Sequence, residues 1–297
     1  MLRACAILSL TFVAVALGAT PRVEAKPEPA PATIKVGIMN GMFKGIPEPL
    51  IKAGGHQFSS LFQKFTGLPG GVEGEEEYAD LAKKLKDNQI QLGVVHGFEW
   101  AWISKQHPQL AALVVAVPSK LPQSCIVVNV KNEAVGPVGL KGAKVEIPFN
   151  MKAHGFLYIE KLHKSCPPGS FTPTTPEELG PDEALDELVK GKTVAALVDQ
   201  STLQGYQKNN PGKSMKLKVL ASSEVFPPTV IIYNAAKGGL DEQAISKIRT
   251  GMLNASKDAQ GKAFLFLWNL KGFEEPSPAF AKLVEDCVKA YPPPARK

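Results

Sequence analysis

The sequence predicts an α/β protein with mainly parallel sheets, and three observations predict it. Short apolar runs recur at residues 34–39, 91–95, 110–117, 125–130, 143–147, 194–198, 217–220 and 229–233, several of them β-branched and bounded by Gly, Pro or Asn. Segments with apolar residues at helical spacing lie between many of them, which is the alternation of a βαβ chain. Within residues 140–166, LKGAKVEIPFNMKAHGFLYIEKLHKSC, a strand feeds a polar elbow that opens a helix.

The elements follow in order. IKVGIM at 34–39 is the first strand and runs into the loop Asn40-Gly41-Met42-Phe43. A helix with Phe58, Leu61, Phe62 and Phe65 on one face stops at Gly67, and a short second strand lies near 70–72. The helix at 75–88 buries Tyr78, Leu81 and Leu85; its acidic first turn and lysine-rich last turn suit the helix dipole. QLGVV at 91–95 is the third strand and ends in His96-Gly97-Phe98-Glu99-Trp100. The strand at 110–117 leads to a Pro-marked segment, 118–122, after which CIVVNV starts a second lobe. In that lobe a Lys141-Gly142 turn precedes the strand at 143–147, and the elbow at 148–154 enters a helix opened by Gly155, with Phe156, Ile159 and Leu162 at helical spacing. An acidic helix at 182–190 and the strand at 194–198 ending in Asp199-Gln200-Ser201 continue it, and strands at 217–220 and 229–233 flank Phe226-Pro227-Pro228. Helices at 241–256, 260–268 and 278–291 close the chain, the last started by Ser277-Pro278.

The first residues stand apart from the fold. Arg3, an apolar run at 4–17 and the Val23-Glu24-Ala25 site read as a secretory signal peptide, residues 1–25, too short to be a transmembrane helix. Cys5 lies at the start of the apolar run rather than at the cleavage point, so no lipid anchor is expected. Residues 26–32, with KPEPAP, form a Pro-rich spacer. About 260 residues remain, enough for two medium lobes. No later segment is long and apolar enough to span a bilayer, so a soluble, exported protein is expected.

The formal net charge of +6 becomes +5 once Arg3, Arg22 and Glu24 are removed. The lysines are scattered among carboxylates with no aromatic interleaving, which excludes a nucleic-acid reading and mildly favours acidic ligands. Cys125, Cys166 and Cys287 remain, allowing one disulfide with a thiol left over, or three thiols; no Cys-x-x-Cys spacing supports a metal.

A strand feeding an elbow at a helix N-terminus aims backbone N–H groups and the positive dipole end at one place, an anion site. The elbow adds Asn150, Lys152 and His154. Asn150 serves equally as a helix N-cap, Lys152 as a solvated surface group and His154 as a cap. His96 and Trp100, after the third strand, are further candidates; Trp100 suits a pocket wall or lobe packing. Tyr78 reaches a pocket by its hydroxyl or packs in the core, Asn40 contacts a ligand or turns the backbone, and Asp199 accepts from a ligand amine or caps a turn. His56, His107 and His163 read as surface residues.

The order of elements resembles type 2 periplasmic solute-binding proteins, most of all the phosphate, phosphite and phosphonate branch of ABC-transporter binding proteins. The marks are IKVGIM, QLGVVHGFEWAWISK, SCIVVNVKNEAVGPVGLKGAKVEIP, ELVKGKTVAALVDQSTLQGY, LKVLASSEVFPPTVIIYN and DEQAISKIRTGMLNASKDAQGKAFLFLWNLKGF. The resemblance implies two α/β lobes joined by crossover strands that close over a ligand: residues 33–118 with 222–291, and 119–221, followed by a flexible tail at 292–297. It implies hinges near 118 and 222, with Lys152, His154 and Asn150 holding the ligand from one side and Trp100, His96 and Tyr78 from the other. Relatives carry hydroxyl residues where this chain has Met151, Lys152, Ala153 and His154, and usually Asp at the position of Val194; Asp199 matches.

The function implied is a periplasmic receptor for a small anionic solute, phosphate- or phosphonate-like, working as a monomer without cofactor and delivering it to an ABC-transporter permease. A ligand sensor serving a signalling partner uses the same lobes. An enzyme is not expected: no nucleophile elbow, paired carboxylates or metal cluster supports one.

Overall fold

Eleven strands and ten helices occur among the residues that the computed structural model describes, 33–44, 48–236 and 240–294, less the side chains of 48–50, 52, 53 and 65. The leader and spacer expected at 1–32, the last three tail residues and the core position expected for Phe65 lie outside the described residues.

In chain order β1 (Ile34–Met39) is followed by a 3-10 turn (Asn40–Phe43), α1 (Glu48–Thr66), β2 (Gly70–Glu75), α2 (Tyr78–Lys86), β3 (Leu92–Val95), α3 (Gly97–Gln106) and β4 (Leu110–Pro118). The chain then runs through β5 (Ser124–Asn129), β6 (Lys144–Glu146), α4 (Ala153–Ser165), β7 (Thr172–Thr174), α5 (Pro181–Lys190), β8 (Ala195–Asp199), α6 (Gln200–Asn209), α7 (Pro211–Ser214) and β9 (Leu217–Ser222). It ends with β10 (Val230–Asn234), α8 (Glu242–Leu253), α9 (Ala259–Leu267), β11 (Leu270–Glu274) and α10 (Pro278–Ala290).

The strands make two sheets, ordered β11-β4-β10-β3-β1-β2 and β7-β6-β8-β5-β9; each, with its helices, is one lobe. Both sheets are mixed rather than mainly parallel. β1 pairs parallel with β2 and β3, but β10 is antiparallel to β3 and β4, and β11 to β4. In the second sheet β6 is parallel to β7 and β8, whereas β5 is antiparallel to β8 and β9. The physical reason is the route of the chain: residues 119–123 and 223–229 pass between sheets with no helix, so β5 and β10 enter without the crossover that parallel pairing requires.

The two connections are hydrogen-bonded to each other. Ser223 N donates to Ser124 O at 2.8 Å and Phe226 N to Pro122 O at 2.9 Å. The Ser223 hydroxyl accepts from Ser124 N at 3.0 Å, and Gln123 Nε2 donates to Ser223 O at 2.8 Å.

One hydrophobic cluster unites the lobes: Phe98 and Trp102 of α3, Ile126, Val145 and Leu197 of the second sheet, Tyr158 and Ile159 of α4, and Phe226, Cys287 and Tyr291. Phe171 and Phe226 are almost completely buried, and each such ring stabilises the fold by about 1.5–3 kcal/mol. The three cysteines among the described residues, Cys125, Cys166 and Cys287, are free, with Cys125 and Cys287 buried; burial pushes the Cys287 thiol up to about 12.

Candidate functional site

The strand ends bring the site together. Asn40 follows β1, His96 follows β3, Asp199 closes β8 and the elbow follows β6, so all lie beyond carboxyl ends of strands, where open α/β sheets take ligands. A narrow crevice is lined by His96, Gly97, Phe98, Pro122, His154, Phe226, Pro227 and Thr229, that is, by one lobe, the two connections and the other lobe. Its free volume is about 20 Å³, room for about one water.

From the second lobe the crevice receives His154, on the first turn of α4 and 3% exposed. Its Nε2 is 2.8 Å from Asp199 Oδ2, yet neither atom has a hydrogen-bond partner of good geometry, and both are buried. Asp199 caps α6: its Oδ1 accepts from Ser201 N at 2.8 Å and from the Ser201 hydroxyl. Lys152 Nζ stands 3.8 Å from Asp199 Oδ2 on the solvent side, its side chain 61% exposed. Burial pushes the His154 imidazole below its ordinary value against the pull of Asp199, and Lys152 and His96 add to the lowering. Burial by itself raises the Asp199 carboxyl, but His154, Lys152 and Ser201 together outweigh it and hold the group below the usual carboxylate range. At neutral pH the pair is an ionised Asp199 beside a neutral imidazole.

From the first lobe comes His96, the N-cap residue of α3. The buried Glu99 accepts from His96 N at 2.9 Å, and the same oxygen lies 2.9 Å from His96 Nδ1. The ring stacks on Phe98 with centroids 5.0 Å apart; Phe98 meets Phe226 edge-on at 6.3 Å, and Phe226 lies 5.3 Å from the His154 ring. Aromatic rings thus floor the crevice between the two histidines. Gly97 is required by close approach: a Cβ there would stand 2.2 Å from Pro227 O.

Other expected site residues are placed elsewhere. Trp100 is 8% exposed and packs among Met39, Leu81, Leu85 and Ile103, so it is a core group rather than a pocket wall; Phe98, two residues earlier, is the aromatic in the crevice. Tyr78 opens α2 and packs its ring against Trp102 at 5.1 Å instead of lining the crevice. Asn40 Nδ2 donates to Glu76 Oε1 at 2.6 Å, a contact within the first lobe. Asn150 is not the cap of α4, a place taken by Lys152, although its Oδ1 is buried without a partner. Glu99, which holds His96, and Phe98 and Phe226, which line the crevice, are not among the site candidates that the sequence marks. The signal available for all three was their place beside a strand end or a Pro pair.

Residues 53–279 match the phosphonate-binding family, described as the periplasmic substrate-binding protein of a phosphonate ABC transporter. The chain belongs to this family. It is thus a solute-binding receptor of the ABC-transporter type. The fold agrees with solved structures. PhnD1 from Prochlorococcus marinus, in complex with methylphosphonate, superposes with a TM-score of 0.60 at 16% identity over 88% of this chain and 98% of that one. XAC2383 from Xanthomonas citri, bound to ATP, gives 0.60 at 10% identity over 87% and 96%. The binding-protein component of a phosphonate ABC transporter from Pseudomonas aeruginosa gives 0.57 at 12% over 87% and 86%. No curated protein sequence is significantly similar to the chain.

Proposed function

We propose that the solute is a small phosphonate-class oxyanion carrying a hydrogen-bond donor, captured between His154 and Lys152 of one lobe and His96 of the other. One observation carries the reading: His154 Nε2 and Asp199 Oδ2 are buried side by side at the N-terminus of α4 without hydrogen-bond partners of good geometry. Buried polar atoms cost stability unless well paired, so a donor–acceptor couple of poor mutual geometry at a positive helix end suits a ligand offering both an anionic oxygen and a proton. Asp199, held ionised, only accepts; it favours a protonated oxygen or an amine and disfavours a fully deprotonated anion. Where relatives carry hydroxyls, Lys152 supplies a cationic donor and His154 a neutral imidazole, which suits a compact anionic head group.

The crevice admits about one water, so capture includes a parting of residues 33–118 with 222–291 from residues 119–221, followed by closure. We place the solute's release at a membrane permease and the chain outside the cytoplasm after removal of residues 1–25. It acts as a single copy, non-enzymatically, since its own two lobes complete the site.

A thermal-shift screen with phosphite, inorganic phosphate, methylphosphonate, 2-aminoethylphosphonate, sulfate and neutral amino acids tests this, because a ligand of the folded state raises the melting temperature by mass action. A shift with phosphonates, lost in His154→Ala, is expected. Shifts by neutral solutes alone would show that the site is not built for anions.

A further inference from the structure

We propose that Glu99 is a positioning residue for His96, so that the anion is gripped between two histidines, one from each lobe, and protons are taken up as it binds. This rests on the anion-receptor reading above. The Glu99 carboxylate is buried, and one of its oxygens touches both the His96 backbone N and His96 Nδ1 at 2.9 Å. The stack on Phe98 holds the ring plane. A neutral imidazole that gives its Nδ1 proton to a carboxylate presents Nε2 as a bare lone pair. An oxyanion cannot accept from a lone pair. A deprotonated oxygen of the ligand, the kind left for His96 when the ligand's own proton faces Asp199, binds at Nε2 once that nitrogen has gained a proton, and the charge thus formed is stabilised by Glu99 on one side and by the anion on the other.

Across the crevice a carboxylate also stands beside a histidine, there at the other ring nitrogen: His154 Nε2 is 2.8 Å from Asp199 Oδ2. The groups facing His96 are therefore Glu99 from its own helix and His154 from α4, with Asp199 and Lys152 behind it. On its remaining side the turn at 40–43 approaches through Gly41, and Asn40 there holds Glu76. Two histidines, each backed by a carboxylate on a different lobe, mean that both halves of the grip strengthen with the proton and weaken without it.

Calorimetry of methylphosphonate binding to the whole mature chain, in buffers of different ionisation enthalpy at a fixed pH near 7, counts the protons taken up. Wild type is expected to take up more than the ligand's own titration supplies. Glu99→Gln keeps an acceptor for the His96 backbone N but removes the charge; it is expected to take up about one proton fewer and to lose about tenfold in affinity, with the loss growing as pH rises. His96→Gln, which leaves Glu99 in place, is expected to lose the same proton and to make Glu99→Gln silent in the double variant. Unchanged proton uptake and an unchanged affinity–pH profile in either variant overturn the proposal and leave the receptor reading intact. If wild type binds neither methylphosphonate nor inorganic phosphate, the anion reading falls and the proposal with it.

Discussion

Trp102 Nε1 donates a 2.8 Å hydrogen bond to the backbone carbonyl of Tyr291, 189 residues away, and so ties the buried helix α3 to the end of α10. Tyr291 then spends the rest of its surface on the other lobe and the connection: its ring lies 4.6 Å from Phe226, its hydroxyl donates to Glu224, and Lys161 of α4 sits over the ring and pairs with Glu224. Burial, then the Glu224 hydrogen bond, push the Tyr291 hydroxyl above its ordinary value. This residue is a third link between lobes beside the two connecting segments.

Tyr291→Phe keeps the ring and loses only the hydroxyl contact, with an expected cost of about 1 kcal/mol. Tyr291→Ala removes the ring from a cluster shared by both lobes and is expected to cost about 3–5 kcal/mol in urea unfolding. Equal, small losses in the two variants would mean that the ring does not bridge the lobes.

Gly97→Ala places a methyl 2.2 Å from a backbone oxygen of Pro227, which cannot rotate away as a side chain does. A loss of about 1–3 kcal/mol is expected. The control is Gly205→Ala on the exposed face of α6, with nothing within 4 Å, which is expected to gain about 0.5–1 kcal/mol. Thermal melts of both decide, and a neutral Gly97→Ala contradicts the close approach.

Two groups of the site contribute to the acid limb of stability without ligand. His154 has a folded value below its unfolded one, so the unfolded chain binds more protons and stability falls as pH drops from about 6.5. Asp199 also has a depressed folded value: its contribution is complete above about 4 and is lost as pH falls further. His154→Gln is expected to flatten the first of these two steps and to shrink the second, because His154 is one of the groups that hold the Asp199 carboxyl low. An unaltered midpoint-versus-pH curve would remove His154 as the cause.

Trp100→Ala is expected to cost about 3–5 kcal/mol while leaving anion affinity within about twofold under conditions where the variant stays folded. A large affinity loss at unchanged stability would return Trp100 to the pocket.

Asp199→Asn exchanges an obligate acceptor for an amide that also donates. Selectivity is expected to move about tenfold from anions with a proton or amine towards sulfate, read by competition binding. A parallel loss for both classes would argue that Asp199 only orients His154.

The sheet strands were legible because IKVGIM, CIVVNV and VIIYN are apolar runs bounded by turn residues. Helix α3 was not, since residues 97–103 are buried on every side and such a helix shows no polar face to reveal its period. β7, three residues around Pro173, and β11, with Lys271 and Gly272, carry too little strand signal. His96, His154 and Asp199 were legible as residues at strand ends. Phe98 and Trp100 were not distinguishable, because residues two apart on a helix point about 200° from each other and only packing says which one faces the cleft. Pairing direction was also hidden: nothing in the composition of β10 says that it enters between β3 and β4 antiparallel to both.

The bonds between residues 122–124 and 223–226 make the two connections one ribbon. A two-stranded ribbon bends across its face far more readily than it shears, because shearing breaks the rungs while bending keeps them. In the parting and closure proposed above, motion between the halves would thereby be confined to something close to a single arc. His96 would leave and rejoin His154 along the same path at every cycle, and a bulky group trailing from the ligand would be tolerated only where it projects away from that ribbon, through the open lip of the jaw.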